Sequence, residues 1–298
     1  MSFIEKIKKI EESIILEYYD GENIRVLDSK PLSEYNKESD NIRIAVLDVE
    51  STGFDVEKDE IIELAVKVIE LNKHDGTNLK AIYKYESYND PGFEISEEII
   101  NLTGIDNSKV KGINIDWNEV KEMLDKCQLL IAHNAKFDRK FIEKYIKTEN
   151  VWSCSQNDIN WKNRGFFKNS LELLCIWHGF HYGAHRAMND VNATIHLITN
   201  PNYKEDLPIT ELINNAKKPL YRIINKFPYN EQHIKTIKSR KVNSNRYFWN
   251  PNNKSWDIYF DNKETTDEEI EWLNENIYSG NFKGMVQLIS LFDRYKEF

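Results

Sequence analysis

The sequence predicts an α/β protein: a mixed sheet flanked by helices, preceded by an N-terminal helical extension and followed by a small C-terminal α+β domain. Three observations carry this. Apolar runs of strand length alternate with helix-like stretches between residues 42 and 199, an order that suits helices packed on the faces of a mixed sheet. The polar stretch KPLSEYNKESDN (30–41) separates this block from the N-terminal residues, and NPNYKEDLP (200–208), rich in Pro, Asn and charge, separates it from the C-terminal tail. The tail has a strand and helix pattern of its own. The expected organisation is an extension over 1–40, a main domain over 41–200, a linker over 201–218 and a small domain over 219–298.

Each element has its own signal. Phe3, Ile4, Ile7, Ile10, Ile14 and Ile15 fall near helical spacing and predict an amphipathic helix over 3–19, followed by a short extended piece around IRVLD. IRIAVLDV is a short apolar run with β-branched residues, as expected of a strand covered on both faces. IIELAVKVIEL and LKAIYKYES are two further strands, joined by the turn-like HDGTN, which predicts a meander. ISEEIINLTGI reads as a helix stopped by Gly104, QLLIAH as a strand, and NAKFDRKFIEKYI as a helix with Phe137, Phe141 and Tyr145 on one stripe. VWSCS is a short strand, SLELLCIWHG a helix stopped by Gly179, and AMNDVNATIHLI the last helix of the block. In the tail YRIINKF, RYFWN and SWDIYF read as strands, and NEQHIKTIKSR and TTDEEIEWLNENIY as helices. Thr266 with Glu269 fits a capping box for the second.

Composition narrows the function classes. The chain is 40% hydrophobic and 30% charged, a soluble globular profile, and its longest apolar runs are far too short to span a bilayer. No membrane partner is expected. The first residues, MSFIEKIKKIEES, carry charges throughout and resemble neither a signal peptide nor an anchor. Cys127, Cys154 and Cys175 are widely spaced and odd in number, so neither a disulfide framework nor a zinc site is indicated, and a cytoplasmic location is the natural expectation. A net charge of −9 argues against coating nucleic acid by bulk charge. It leaves room for an enzyme whose bound metals cancel acidic charge locally.

Three short clusters carry chemistry: Asp48 and Glu50 in IAVLDVESTG, Asp138 in IAHNAKFD, and His185 and Asp190 in GAHRAMND. Asp48 and Glu50 lie two apart at a strand end, so alternation puts both on one face. Adjacent carboxylates repel unless a cation lies between them. Taken alone, the pair also fits a charged turn after a buried strand. Gly53, in the adjoining Ser51-Thr52-Gly53 turn, has no Cβ to obstruct a ligand near the backbone. Asp138 lies one turn after Asn134, which either caps the helix or points at substrate. By itself Asp138 is equally a first-turn acid favoured by the helix dipole. His185 sits in a loop before the helix that carries Asp190; alone it reads equally as a surface histidine.

Together, the order D-x-E-[ST]-T-G, then H-N-A-x-F-D, then H-x-A-x-x-D resembles the DnaQ-like exonucleases. These form the DEDDh group of the ribonuclease-H-like fold, which includes polymerase proofreading subunits. The resemblance covers roughly 42–199, and DEIIELA and INLTGI agree with it. Ser51 stands where the family usually has Thr and keeps the hydroxyl. The resemblance implies two divalent ions, Mg²⁺ or Mn²⁺, held by Asp48, Glu50, Asp138 and Asp190, with His185 deprotonating the attacking water. It implies 3′→5′ hydrolysis of nucleic acid to nucleoside 5′-monophosphates. Ser51, Thr52, Gly53 and Asn134 would position the terminal nucleotide. DNA, as single strands or frayed 3′ ends, is the favoured substrate; RNA, or a non-catalytic nucleic-acid scaffold, are the alternatives.

The tail supports two readings. Between 222 and 254 Arg222, Lys226, Lys235, Lys238, Arg240, Lys241, Arg246 and Lys254 interleave with Phe227, Tyr229, Tyr247, Phe248 and Trp249, a composition suited to single-strand binding. In so short a domain the aromatics are by default its core and the charges its solvated face. QLISLF (287–292) loosely resembles the Gln-Leu-rich peptides bound by bacterial sliding clamps, but a terminal amphipathic helix is the simpler expectation.

Overall fold

A computed structural model describes residues 9–10, 13–26, 32–34, 39–242 and 245–296. The chain divides into two compact units, 1–216 with 295–298, and 217–294.

The first unit is built on a five-stranded sheet of order β3-β2-β1-β4-β5. β1 (Asn41–Ser51), β2 (Ile61–Asn72) and β3 (Lys80–Tyr88) form the expected antiparallel meander. β4 (Leu129–Ala132) and β5 (Val151–Cys154) add in parallel. The near-continuous burial of β1 and β2 is explained by cover on both faces. Ala45, Leu47 and Val49 pack on the side of α3 (Trp117–Asp125) and α4 (Ala135–Ile142). Ile42, Ile44 and Val46 pack on the side of α6 (Ala187–Ile198). Two shorter helices, α1 (Glu97–Thr103) and α2 (Asn107–Val110), precede α3, and α5 (Leu171–Trp177) precedes α6. Gly104 closes α1 in the left-handed conformation, φ 69°, as its stop signal predicts. Among the described residues no helix is long and apolar enough to cross a membrane. The three cysteines are buried and unbonded to one another.

The N-terminal segment departs from expectation. The described residues within 3–19 are extended: Lys9–Ile10 pairs with Ser13–Ile14, and Glu17–Tyr18 pairs in parallel with Phe180–His181. Residues 3–8 and 11–12 lie outside the described residues. Pairing decides the outcome. Glu17 and Tyr19 donate their N–H groups to the carbonyls of Gly179 and His181 at 3.0 and 2.8 Å, and the Tyr19 ring stacks on His196. Ile and Tyr accept a strand as readily as a helix once a partner backbone is offered. Further on, Ile24 presents its carbonyl to the buried Lys67 ammonium at 3.1 Å; Asn192 accepts from the same ammonium.

The expected linker over 201–218 contains α7 (Pro208–Asn215), whose Ile209, Leu212 and Ile213 are buried, so the first unit runs on to Ala216. Tyr295 returns to this unit, its hydroxyl donating to Asp158 at 2.6 Å.

The second unit is a four-stranded antiparallel sheet of order β7-β8-β6-β9, from β6 (Leu220–Asn225), β7 (Phe248–Asn250), β8 (Ser255–Phe260) and β9 (Met285–Ile289). Its helices α8 (Glu231–Ser239) and α9 (Lys263–Asn276) close a core of Ile223, Ile237, Ile258, Phe260, Leu273 and Ile277. Asn262, not Thr266, caps α9, accepting from the Thr265 N–H at 2.8 Å. Glu269 is instead buried against Arg240 and Tyr247. The segment 287–292 is no helix: 285–289 pair with β6, and Leu291–Asp293 form a single 3₁₀ turn. A neighbouring backbone outcompetes an isolated terminal turn, which has too few residues to stabilise itself.

Candidate active site

Parity along β1 places Asp48 and Glu50 on the face of Ile44 and Val46, beneath α6. Asp190 descends from the first turn of α6 onto the same spot. Carboxylate oxygens of Asp48, Glu50 and Asp190 all lie within 4.8 Å of one another. Asp138 reaches the same strand end from α4; it is 2% exposed and its Oδ1 accepts the Val49 N–H at 3.1 Å. The strand pairing shifts register between Glu50 and Ser51. Such an irregularity lets a strand end re-aim its side chains.

Four acids this close cannot all ionise in a poorly hydrated site. Burial, then repulsion from Asp190, Asp138, Glu50 and Glu63, pushes the Asp48 carboxyl well above the ordinary range. Burial, then repulsion from Asp190, Glu63 and Asp138, lifts Glu50 to about 8. Burial lifts Asp138 to about 7 against the pull of the Val49 N–H. Asp190 rises to about 6, again through burial, and is held from rising further by the Tyr182 hydroxyl and the Arg186 N–H. Those donors stand at 2.7 and 3.1 Å from its two oxygens. An all-oxygen donor set under mutual repulsion fits hard divalent cations such as Mg²⁺ or Mn²⁺.

α6 is anchored by a residue to which the sequence analysis gave no role. Glu63, 1% exposed, accepts from the Arg186 guanidinium at 2.8 Å and from the Ala187 N–H at 2.9 Å, while Arg186 also donates to the Tyr88 hydroxyl at 2.6 Å. One carboxylate thereby satisfies a free N–H at the start of the helix that carries Asp190. A lone charge inside the apolar run IIELAV was the available signal.

His185 is half-buried, just ahead of α6, in the left-handed region at φ 61°. It is not one of the three clustered ligands. Ser51 donates to the Gly53 carbonyl at 2.6 Å. Thr52 is committed within its own turn: its N–H donates to the Glu60 carbonyl at 2.9 Å and its hydroxyl meets Asp59 at 3.1 Å. Gly53 is required by a close approach of the Asp59 carboxylate, which a Cβ would meet at 2.4 Å. Asn134 is the residue before α4 and is exposed; its side chain makes no capping bond. Phe54, outside the sequence motifs, is 81% exposed at the end of this turn, edge-on to Phe137. His133 and His178 are buried packing residues, both pushed down to about 4 by burial.

A family model described as Exonuclease (RNase_T) matches residues 45–198. The DNA polymerase III subunit epsilon of Aquifex aeolicus is 33% identical over 158 residues, covering 50% of this chain and 75% of that protein. A PolC-type DNA polymerase III from Listeria welshimeri is 43% identical over 101 residues, covering 33% of this chain but only 6% of that protein. Among solved structures, exonuclease X in complex with 5′ overhanging duplex DNA aligns with a TM-score of 0.41 at 18% identity, covering 57% of this chain and 98% of that one.

Proposed function

This chain belongs to the exonuclease family, and on that premise we propose that it is a divalent-metal-dependent 3′→5′ exonuclease that hydrolyses DNA, as single strands or frayed 3′ ends, to nucleoside 5′-monophosphates. The observation that carries the reading is the convergence of Asp48, Glu50 and Asp190 within 4.8 Å, with Asp138 against the same strand end. DNA is preferred because the relatives are named as a DNA polymerase III subunit epsilon and a PolC-type DNA polymerase III.

Asp48, Glu50, Asp138 and Asp190 would hold the divalent ions. When bound, the ions supply positive charge for the phosphate oxygens and acidify water. Tyr182 and the Arg186 N–H keep Asp190 oriented with its lone pairs turned to the cluster. Glu63 and Arg186 fix the helix start on which that orientation depends. His185, next to Asp190, accepts the proton of the attacking water. Asn134 and the exposed Phe54 would position the last nucleotide. The 287–292 segment, a strand end followed by a 3₁₀ turn, remains a candidate sliding-clamp contact.

Oligomers labelled at either end, in DNA and RNA versions and across a metal series, test the reading. Mononucleotides released from the 3′ end, dependent on Mg²⁺ or Mn²⁺ and lost in Asp48→Ala, are expected. Release from the 5′ end, or activity untouched by Asp48→Ala, overturns it. Faster digestion of RNA than of matched DNA reassigns the substrate.

A further inference from the structure

We propose that the second unit carries a binding surface for single-stranded nucleic acid, with Trp249 as the base-stacking platform and Lys238 and Arg246 as phosphate contacts. The strand register pairs Trp249 with Trp256, so both indoles lie on the helix-covered face of the sheet. β7 is the outer strand, and there the helical cover ends. Trp256 packs at the margin of the core, but Trp249 is left 48% exposed, its ring 5.5 Å from that of Trp256 and inclined at 56°. A small domain gains most by burying its indoles, so a half-solvated one is unusual.

The charge around it has one sign. Residues 232–256 contain six Lys or Arg and no Asp or Glu, in a chain of net charge −9. Arg240 is committed to Glu269 at 2.7 Å. Lys238 on α8 sits over the Trp256 ring, Nζ 5.6 Å from its centre. Lys241 lies directly across from Arg246 in a two-residue strand pair, both exposed. Five acidic residues of the unit, Glu264, Asp267, Glu268, Glu271 and Glu275, are exposed on α9, whereas Asp257 and Glu269 are buried and bonded to Arg222 and Arg240. A half-exposed indole beside Trp256, with the Lys238 ammonium over the Trp256 ring, matches a polyanion whose bases are unstacked. DNA and RNA strands share that chemistry.

Binding is measured on the full chain in chelator, where no hydrolysis competes, with fluorescein-labelled oligothymidylate and oligouridylate of roughly 15 nucleotides, within the span such surfaces cover. Trp249→Ala is expected to weaken binding about tenfold or more. Lys238→Ala with Arg246→Ala should flatten the salt dependence. Phe248→Ala is the internal control, because it removes a 41% exposed ring from the opposite face of the same strand; it should bind as wild type. Binding of one oligomer only assigns DNA or RNA to the surface, and binding of both means that the sugar is not read. The proposal is overturned by wild-type affinity in Trp249→Ala, by equal loss in Phe248→Ala, or by binding of neither oligomer. The readout is affinity in chelator and not turnover, so this outcome is separate from that of the catalytic reading.

Discussion

Glu50 lies directly across the β1–β2 pair from Glu63, two acids in cross-strand register on one face. Such a pair is destabilising unless each member has a counter-charge. Glu63 has one in Arg186, and that contact draws down the start of α6. Glu50 has no ion pair among the described residues, and on the proposed reading it is the member that would meet a metal ion.

Glu63→Gln should therefore act through the helix. Arg186 loses its ion pair and the Ala187 N–H a charged acceptor, loosening Asp190. We expect a loss of about 1–3 kcal/mol in stability, as for a weakened buried hydrogen bond to a charged group, and turnover reduced about tenfold with KM little changed. Denaturant titration and steady-state kinetics measure both; unchanged turnover would show that Arg186 alone positions the helix.

Stability should fall with rising pH in chelator. All four carboxyls hold their protons to higher pH folded than unfolded, so the folded state binds more protons from the ordinary values of 3.8 and 4.5 up to about 8 at Glu50. Their contribution is full below this window and is lost as pH climbs through it. Melting temperature should drop across the range, Mg²⁺ or Mn²⁺ should restore it increasingly toward the alkaline end, and Asp48→Asn should flatten both trends. A melting temperature independent of pH and metal would remove the electrostatic argument.

The backbone at His185 dictates how its role is tested. At φ 61° an alanine is strained, whereas asparagine tolerates the left-handed region and cannot act as a base. His185→Asn should cut turnover about 10²–10⁴-fold at unaltered oligonucleotide affinity. Loss of affinity with turnover intact would assign His185 to substrate binding.

Tyr182→Phe removes the hydroxyl that restrains the rise of Asp190. Asp190 then holds its proton to higher pH. The metal concentration for half-maximal activity should increase about tenfold near neutrality, with the deficit shrinking at higher pH. A metal titration at several pH values decides it; coincident curves for the two proteins would exclude the role.

Most of the catalytic unit was legible because its signals are local. The two-residue spacing of Asp48 and Glu50 placed them on one face, and stop signals at Gly104 and Gly179 bounded helices. What escaped depends on partners far along the chain. Arg186 and Glu63 are separated by 123 residues, and the strand at Glu17–Tyr18 exists only because Phe180–His181 lies beside it. α7 could have been read from Pro208, well suited to a first helical turn. The Thr266 capping box was outcompeted four residues earlier by Asn262, which accepts the cap bond from Thr265.

The Lys67 ammonium has a practical bearing on where this enzyme can be cut. It sits in the sheet interior with the Ile24 carbonyl as one of its two acceptors. A version trimmed back to Asn41, the apparent domain edge, would leave that cation half-coordinated in a dry environment. Shortened forms for crystallisation or assay should therefore retain the segment from Glu17 onward.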